Sequence, residues 1–427
     1  MYTVSQALDT VLSGKFDKTF GFVYGENATA IQRERYAEAI KEFDKLFPNR
    51  DNIVFYSAPG RTEVGGNHTD HQHGCVLAAS VNLDVIAVVS PNTDNVIRIK
   101  SKGFDMDVID LNELTPKDDE INKAAALIRG VAARFKDLGY NICGFDAYTT
   151  SSVLKGSGLS SSAAFEVLVG TILSGQFNEF KVDAVEIAQI AQYAENVFFG
   201  KPCGLMDQMA SSVGSFVAID FNDPKNPIIN KVAFDFASSN HALCIVDTGG
   251  NHADLTDEYG SVPVDMKGVA KLLGKEVLRD VSECEIFKNL PLIREKLGDR
   301  AALRAIHFKA ENERAQKEAT ALNSGDFEAF KKIVIESGYS SFMYNQNVYT
   351  CKNPTEQGLS LALSVSEKIL KGKGAWRVHG GGFAGTIQAF VPNELLDTYK
   401  SEMENIFGEG SCYVLNIRPV GGIKVTE

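Results

Sequence analysis

No apolar run in this sequence approaches the roughly 20 residues that span a bilayer. The first residues, Met1-Tyr2-Thr3-Val4-Ser5, do not set a basic segment before an apolar one, so no secretory leader is expected. The seven cysteines, at 75, 143, 203, 244, 284, 351 and 412, contain no C-x-x-C pair. An odd number without zinc spacing predicts neither a disulfide framework nor a structural metal site. Positive charge is also short. The 43 Lys and Arg face 55 Asp and Glu, a net charge of −12, which argues against nucleic acid or an anionic membrane as the main partner. Internal repeats and low-complexity segments are absent. These absences together predict a cytoplasmic protein.

What is present is the composition of a globular chain, 44% hydrophobic and 23% charged. A length of 427 residues exceeds one ordinary core and suggests about two or three domains. Residues 30–47 place Ile31, Tyr36, Ile40, Phe43, Leu46 and Phe47 at helical spacing, a docking helix or partner surface within an N-terminal helical extension, 1–52. A strand over 53–58 is expected to break at Pro59-Gly60, and a dense polar loop, 61–74, precedes the apolar stretch 76–89. Further strands read at 96–101 and 145–150, flanking a helix near 122–137. An amphipathic helix over 182–199 carries Glu195 in its last turns and stops at Gly200. The segment 221–239 is the best boundary, dividing 53–230 from 231–427. Strands follow at 242–247 and 387–391, with a last one at 413–417, and helices near 301–322, 327–336 and 355–371. The architecture reads as α+β in two halves.

Chemistry concentrates in glycine-rich loops. Gly156-Ser157-Gly158-Leu159-Ser160-Ser161-Ser162-Ala163-Ala164 opens onto an apolar helix. Glycines admit close backbone approach, and a helix N-terminus gathers unpaired N–H groups with the positive end of the dipole. No Gly-Lys-Ser/Thr closes it, so it is not the common P-loop. On these residues alone it reads either as a phosphate cradle or as a Gly/Ser turn that starts a core helix. Asp207, among apolar neighbours, reads either as a helix cap or as a general base held in a cleft. The three histidines at 68, 71 and 73 fit no familiar metal spacing. Neither glycine loop starts a G-x-G-x-x-G βαβ unit, which removes a dehydrogenase reading.

Taken in order, the loops resemble the three motifs of the GHMP small-molecule kinases. The first resembles the galactokinase signature, Gly-Arg-x-Asn-Leu-x-Gly-Glu-His-Thr-Asp, here Gly60-Arg61-Thr62-Glu63-Val64-Gly65-Gly66-Asn67-His68-Thr69-Asp70. The second is the phosphate loop, Gly156 to Ala164. The third is His379-Gly380-Gly381-Gly382-Phe383-Ala384-Gly385, where the family usually has Thr-Gly-x-Gly-Phe-Gly-Gly. Met206-Asp207-Gln208 and Asp257-Glu258-Tyr259 also fall where galactokinases have theirs, and the likeness runs from about residue 53 to the C-terminus.

The resemblance implies a two-domain GHMP kinase fold with the active site in the cleft between the domains. It also implies ATP-dependent phosphorylation of the anomeric hydroxyl of galactose, opening galactose catabolism, with sugar and ATP as small-molecule partners and Mg²⁺ as cofactor. Asp207 would face the anomeric hydroxyl with Arg61 beside it. Gly156, Ser157, Gly158, Leu159, Ser160, Ser161 and Ser162 would wrap the phosphates, and Ser162 with Glu195 would ligate Mg²⁺. Asn67, His68, Thr69, Asp70, Gly204 and Tyr259 would hold the sugar. The departures are Glu63 where the family has Asn, Asn67 where it has a sugar-contacting Glu, Gly65 in place of a bulky apolar residue, and Gly249-Gly250-Asn251-His252 before Tyr259. They leave open a related 1-kinase, for N-acetylgalactosamine or L-arabinose. A non-catalytic sugar sensor is the remaining alternative. A monomer and a homodimer are both compatible with the sequence.

Overall fold

The computed structural model describes residues 2–153, 159–201, 203–250 and 255–427. Gly156, Ser157, Gly158, Asn251 and His252 lie outside the described residues.

Three helices lead the chain: α1 (Val4–Leu12), α2 (Asp17–Tyr24) and α3 (Thr29–Leu46). The first half continues with β1 (Val54–Gly65), β2 (Cys75–Pro91), β3 (Val96–Ser101), β4 (Met106–Asp110), α4 (Ala124–Asp137) and β5 (Phe145–Ser151). It ends with α5 (Ser161–Phe177), α6 (Ala184–Ala194), α7 (Met206–Val213), β6 (Phe216–Asp220) and β7 (Ile228–Val232). Their sheet runs β12-β1-β2-β5-β3-β4, with β6 on the other end of β2 and β7 beyond it. All pairings are antiparallel except β3 with β5.

Side chains alternate across a strand, so a strand covered on both faces is apolar throughout. Val54, Tyr56 and Ala58 face the core with α5, whereas Phe55 meets Phe16, Phe20, Tyr36 and Phe43 from α1–α3. Thus α3 is no free partner surface: Tyr36, Ile40 and Phe43 are buried on the sheet, while Ile31 is 66% exposed and faces solvent. Asp84 fastens this layer, accepting from Tyr24 Oη (2.6 Å), Arg35 Nη1 (2.6 Å), Ser57 Oγ and Arg418 Nη1 (3.1 Å).

The second half holds β8 (His241–Asp247), α8 (Thr256–Leu272), α9 (Glu283–Lys288), α10 (Leu290–Leu297), α11 (Asp299–Asn323), α12 (Phe327–Ser340) and α13 (Gly358–Leu370). It closes with β9 (Ala375–Val378), β10 (Thr386–Pro392), α14 (Leu396–Phe407), β11 (Cys412–Leu415) and β12 (Ile423–Val425). An antiparallel sheet, β11-β8-β10-β9, has α13 and α14 on one face. Its other face, with Leu243, Ile245 and Phe390, joins Leu322 of α11 and Phe330 and Val334 of α12 in the core shared with the first sheet.

Several expectations change. β1 does not break at Pro59-Gly60; it runs to Gly65 and takes up the irregularity as register shifts between Pro59 and Arg61 and between Glu63 and Gly65. The last strand is not the one near 413 but β12, which returns to pair with β1. A boundary at 230/231 falls inside β7. Tyr259 lies in the first turn of α8. Among the described residues no helix is long and apolar enough to cross a membrane.

Candidate active site

The site forms where the ends of the first motif, the second motif and α7 converge. Gly60 is required there: a Cβ would stand 2.9 Å from the Leu159 carbonyl oxygen. That carbonyl instead accepts from Arg61 N at 3.0 Å. The approach brings Arg61 to Asp207, in the first turn of α7. The guanidinium donates through Nε to Oδ1 (2.6 Å) and through Nη2 to Oδ2 (2.7 Å), a bidentate charge-assisted pair. Ser160 adds a third donor, its Oγ lying 2.5 Å from Oδ2. The residue adopts a left-handed backbone (φ 55°), a conformation costly for serine that aims this hydroxyl at the carboxylate. Burial by itself raises the Asp207 carboxyl; the Arg61 charge and hydrogen bonds, with the Ser160 hydroxyl, outweigh it and hold it below the ordinary carboxylate value. Asp207 makes no helix cap.

Asp70 and Gly204 lie beside this pair. A Cβ at Gly204 would stand 2.9 Å from Asp70 Oδ2. Burial, and the nearby Asp207 charge, raise the Asp70 carboxyl, although His68 and backbone donors oppose this. His68, in the left-handed region (φ 59°), places Nε2 3.0 Å from the Gly381 carbonyl. Tyr259 meets the same loop from α8, its hydroxyl donating to the Gly382 carbonyl at 3.0 Å and its ring edge-on to Phe383.

Two of the residues expected to hold the sugar have side chains that are bonded within the protein. The Thr69 hydroxyl is buried and donates to the Gly66 (2.8 Å) and Cys75 (2.6 Å) carbonyls, closing its own turn. Asn67 is fully buried, with its amide bonded within the protein on both sides. Leu159 likewise has a core side chain, which leaves only its backbone for a ligand.

Ser162 and Glu195 come together as expected. Glu195 ends α6 at a π-helical turn, Glu195–Phe199, closed by left-handed Gly200. Its carboxylate accepts from Ser162 Oγ (3.3 Å), Gln208 Nε2 (2.7 Å) and Lys201 Nζ (3.4 Å). One hydroxyl and one carboxylate, with room for phosphate oxygens, are donors that suit a hard divalent cation. Among the described residues no group of three or more His, Cys, Asp and Glu forms a metal cage.

Ser161 and Ser162 also open onto a cavity of about 1130 Å³, walled by Thr149, Lys102, Phe104, Asn122 and Phe199. The sequence reading missed this wall. It comes from a β-hairpin and a loop whose residues follow no motif; the 53% exposure of Phe104 is a signal visible only in three dimensions. The third motif is distinct too. His379 is buried between Thr62 Oγ1 (3.0 Å) and Thr386 Oγ1 (2.9 Å). Burial and the cations Arg61 and Arg377 push its pKa down to about 3, so it is a neutral crosslink.

A family model described as the GHMP kinases N terminal domain matches residues 126–215, and one described as the galactokinase galactose-binding signature matches residues 41–91. A galactokinase of Streptomyces coelicolor is 30% identical over 82% of this chain and 88% of its own length. A galactokinase of Lactobacillus helveticus is 29% identical over 88% of this chain and 95% of its own. Among solved structures, Lactococcus lactis galactokinase complexed with galactose superposes with a TM-score of 0.74 at 24% identity, covering 90% of this chain and 98% of that one. Methanococcus jannaschii mevalonate kinase shares the fold at a TM-score of 0.61 and 14% identity, covering 86% of this chain and 98% of that one. With the paired Arg61 and Asp207, the seryl helix start and the third glycine loop in place, the chain belongs to the galactokinase family of GHMP kinases.

Proposed function

We propose that this chain transfers the γ-phosphoryl group of ATP to the anomeric hydroxyl of galactose, yielding galactose 1-phosphate and ADP. The observation that carries the reading is the bidentate Arg61–Asp207 pair at the mouth of the seryl loop. Phosphoryl transfer asks a protein for positioning and charge neutralisation rather than covalent chemistry. Asp207, kept ionised by Arg61, accepts the proton of the anomeric hydroxyl as its oxygen bonds to the γ-phosphorus. The guanidinium then faces the charge that develops on that oxygen. His68, Asp70 and Tyr259 bind the sugar hydroxyls, with Gly204 leaving Asp70 uncovered. Gly156, Ser157 and Gly158, with Leu159 to Ser162 leading into α5, receive the phosphates, and the cavity beyond Ser161 takes the base and ribose. Ser162 and Glu195 would hold Mg²⁺, which would supply positive charge to the phosphates.

The test is ATP-to-ADP turnover with Mg²⁺ against galactose, 2-deoxygalactose, galactosamine, N-acetylgalactosamine, arabinose, fucose and glucose. Galactose is expected to give the highest kcat/KM, and Asp207→Ala to abolish turnover while leaving ATP affinity within about threefold. Preference for another sugar replaces galactose in this reading, and an active Asp207→Ala enzyme removes the proposed base.

A further inference from the structure

Three of the positions at which the chain departs from the family, Glu63, Gly65 and Asn67, lie in one buried cluster between the first motif, the third motif and α11. Asn67 uses its whole hydrogen-bonding capacity inside the protein. Its Nδ2 donates to Glu63 Oε1 (2.9 Å) and to the Gly380 carbonyl (2.7 Å). Its Oδ1 accepts from Asn347 Nδ2 (2.9 Å) and Ser341 Oγ (3.2 Å). Two acceptors on one side and two donors on the other fix the amide orientation.

Glu63 in turn is the counter-charge of Arg377, a side chain with no exposure. Arg377 Nη2 donates to Glu63 Oε1 (2.8 Å), Nη1 to the Val64 carbonyl (2.5 Å) and Nε to its neighbour's carbonyl, Val378 (3.0 Å). A carboxylate at 63 is therefore required beside a buried cation, and a second one at 67 would face both it and the Gly380 carbonyl oxygen. The family signature carries the same two residue types in the opposite order.

From α11, Glu311 Oε1 accepts from the backbone N–H of both Gly66 and Asn67 (3.2 Å each), and His307 Nε2 lies 3.0 Å from the Asn67 carbonyl. A Cβ at Gly65 would land on the Glu318 carboxyl, so a side chain at 65 would have to displace that carboxyl of α11.

We propose that Asn67 is a positioning residue and not a sugar ligand. With Glu63 and Arg377 it forms a clasp that fastens the loop bearing His68 and Asp70 to the third glycine-rich loop. Sugar selectivity then rests on His68, Asp70 and Tyr259, and the side chain at 67 reads no hydroxyl. The proposal rests on the sugar-kinase reading above for its kinetic consequences and on the geometry alone for its structural ones.

The kinetic test crosses Asn67→Ala with galactose and a set of galactoses each lacking one hydroxyl. A clasp predicts that KM rises by a common factor, about tenfold, for every sugar, while KM for ATP changes less than twofold. One deoxy sugar whose KM is unaffected by Asn67→Ala identifies a direct contact and overturns the proposal.

The structural test measures the Tm of Glu63→Asn, Asn67→Glu and the double exchange Glu63→Asn/Asn67→Glu. Each single variant is expected to lose stability, and the double to lose less than the sum of the two single losses because the carboxylate–amide pair returns. A double variant that loses the full sum or more overturns the clasp. If Asn67→Glu does not fold, Ser341→Ala removes one donor to Asn67 and is expected to raise every sugar KM by a smaller common factor; a sugar-dependent factor counts against the clasp. Absence of turnover with any sugar in the unmodified protein would end the kinase reading, while the stability cycle would still judge the clasp.

Discussion

Replacing Arg61 by methionine removes the guanidinium and keeps most of the apolar stem, and its effect separates into two parts. In the intact site a bidentate pair of 2.6 and 2.7 Å opposes the burial of Asp207 and holds its carboxyl below the ordinary value. An adjacent cation lowers a carboxylate pKa, so its loss moves the acidic limb of kcat/KM upward. The sign follows from the base being active only when ionised: the limb lies at the folded-state pKa, and that value rises once Arg61 no longer helps Ser160 and Lys201 oppose burial. The second part is independent of pH. Losing a donor aimed at the developing charge costs about 10²–10³ in kcat. Steady-state turnover from about pH 5 to 9 distinguishes the two parts: the plateau at high pH should fall by about 10²–10³, with a further loss of roughly tenfold per unit below the raised pKa. A variant with an unmoved acidic limb would refute the electrostatic coupling of Arg61 to Asp207, and one with an unmoved plateau would refute the stabilising role.

Glu195→Gln keeps the shape of the Ser162–Glu195 contact and removes its charge. Mg²⁺ affinity of the enzyme–ADP complex, read by calorimetry, should weaken by about 10-fold or more, with ADP affinity in the absence of Mg²⁺ changed less than threefold; equal losses in both would deny a metal-specific role. Asp84→Asn leaves two guanidiniums, the buried Arg418 and the partly buried Arg35, facing a neutral amide. Breaking a buried pair costs about 3–5 kcal/mol, visible as a lower Tm near neutral pH. Burial raises the Asp84 carboxyl, but the charges of Arg35 and Arg418, with Ser57 and Tyr24, outweigh it and lower it. Its contribution is therefore present above the unfolded carboxylate value of about 3.9 and disappears as pH falls through the lower folded value, so wild type and variant should converge in strongly acidic solution.

Some of this molecule is legible in one dimension because the cause is local. Helix and strand periodicity places α4, α5, α11 and β8 close to where they stand, and Gly200 ends a helix by its left-handed conformation (φ 84°). The motif order announces Arg61 and Asp207, and a short glycine at 60 is a sufficient reason for two loops to touch. What the sequence could not decide is the destination of a side chain whose partners lie hundreds of residues away. Asn67 and Thr69 are polar residues in a functional loop, and nothing local distinguishes one that faces a ligand from one that satisfies a buried carbonyl. The role of Asn67 depends on Gly380, Ser341 and Asn347 arriving from the second half, whereas Thr69 bonds to carbonyls of its own turn. Likewise Ile31 and Tyr36 share one helical pattern, but only the packing of α3 on β1 decides which is buried. Burial makes every unpaired polar group costly, so the tertiary structure assigns each amide and carboxylate to whichever partner packing delivers.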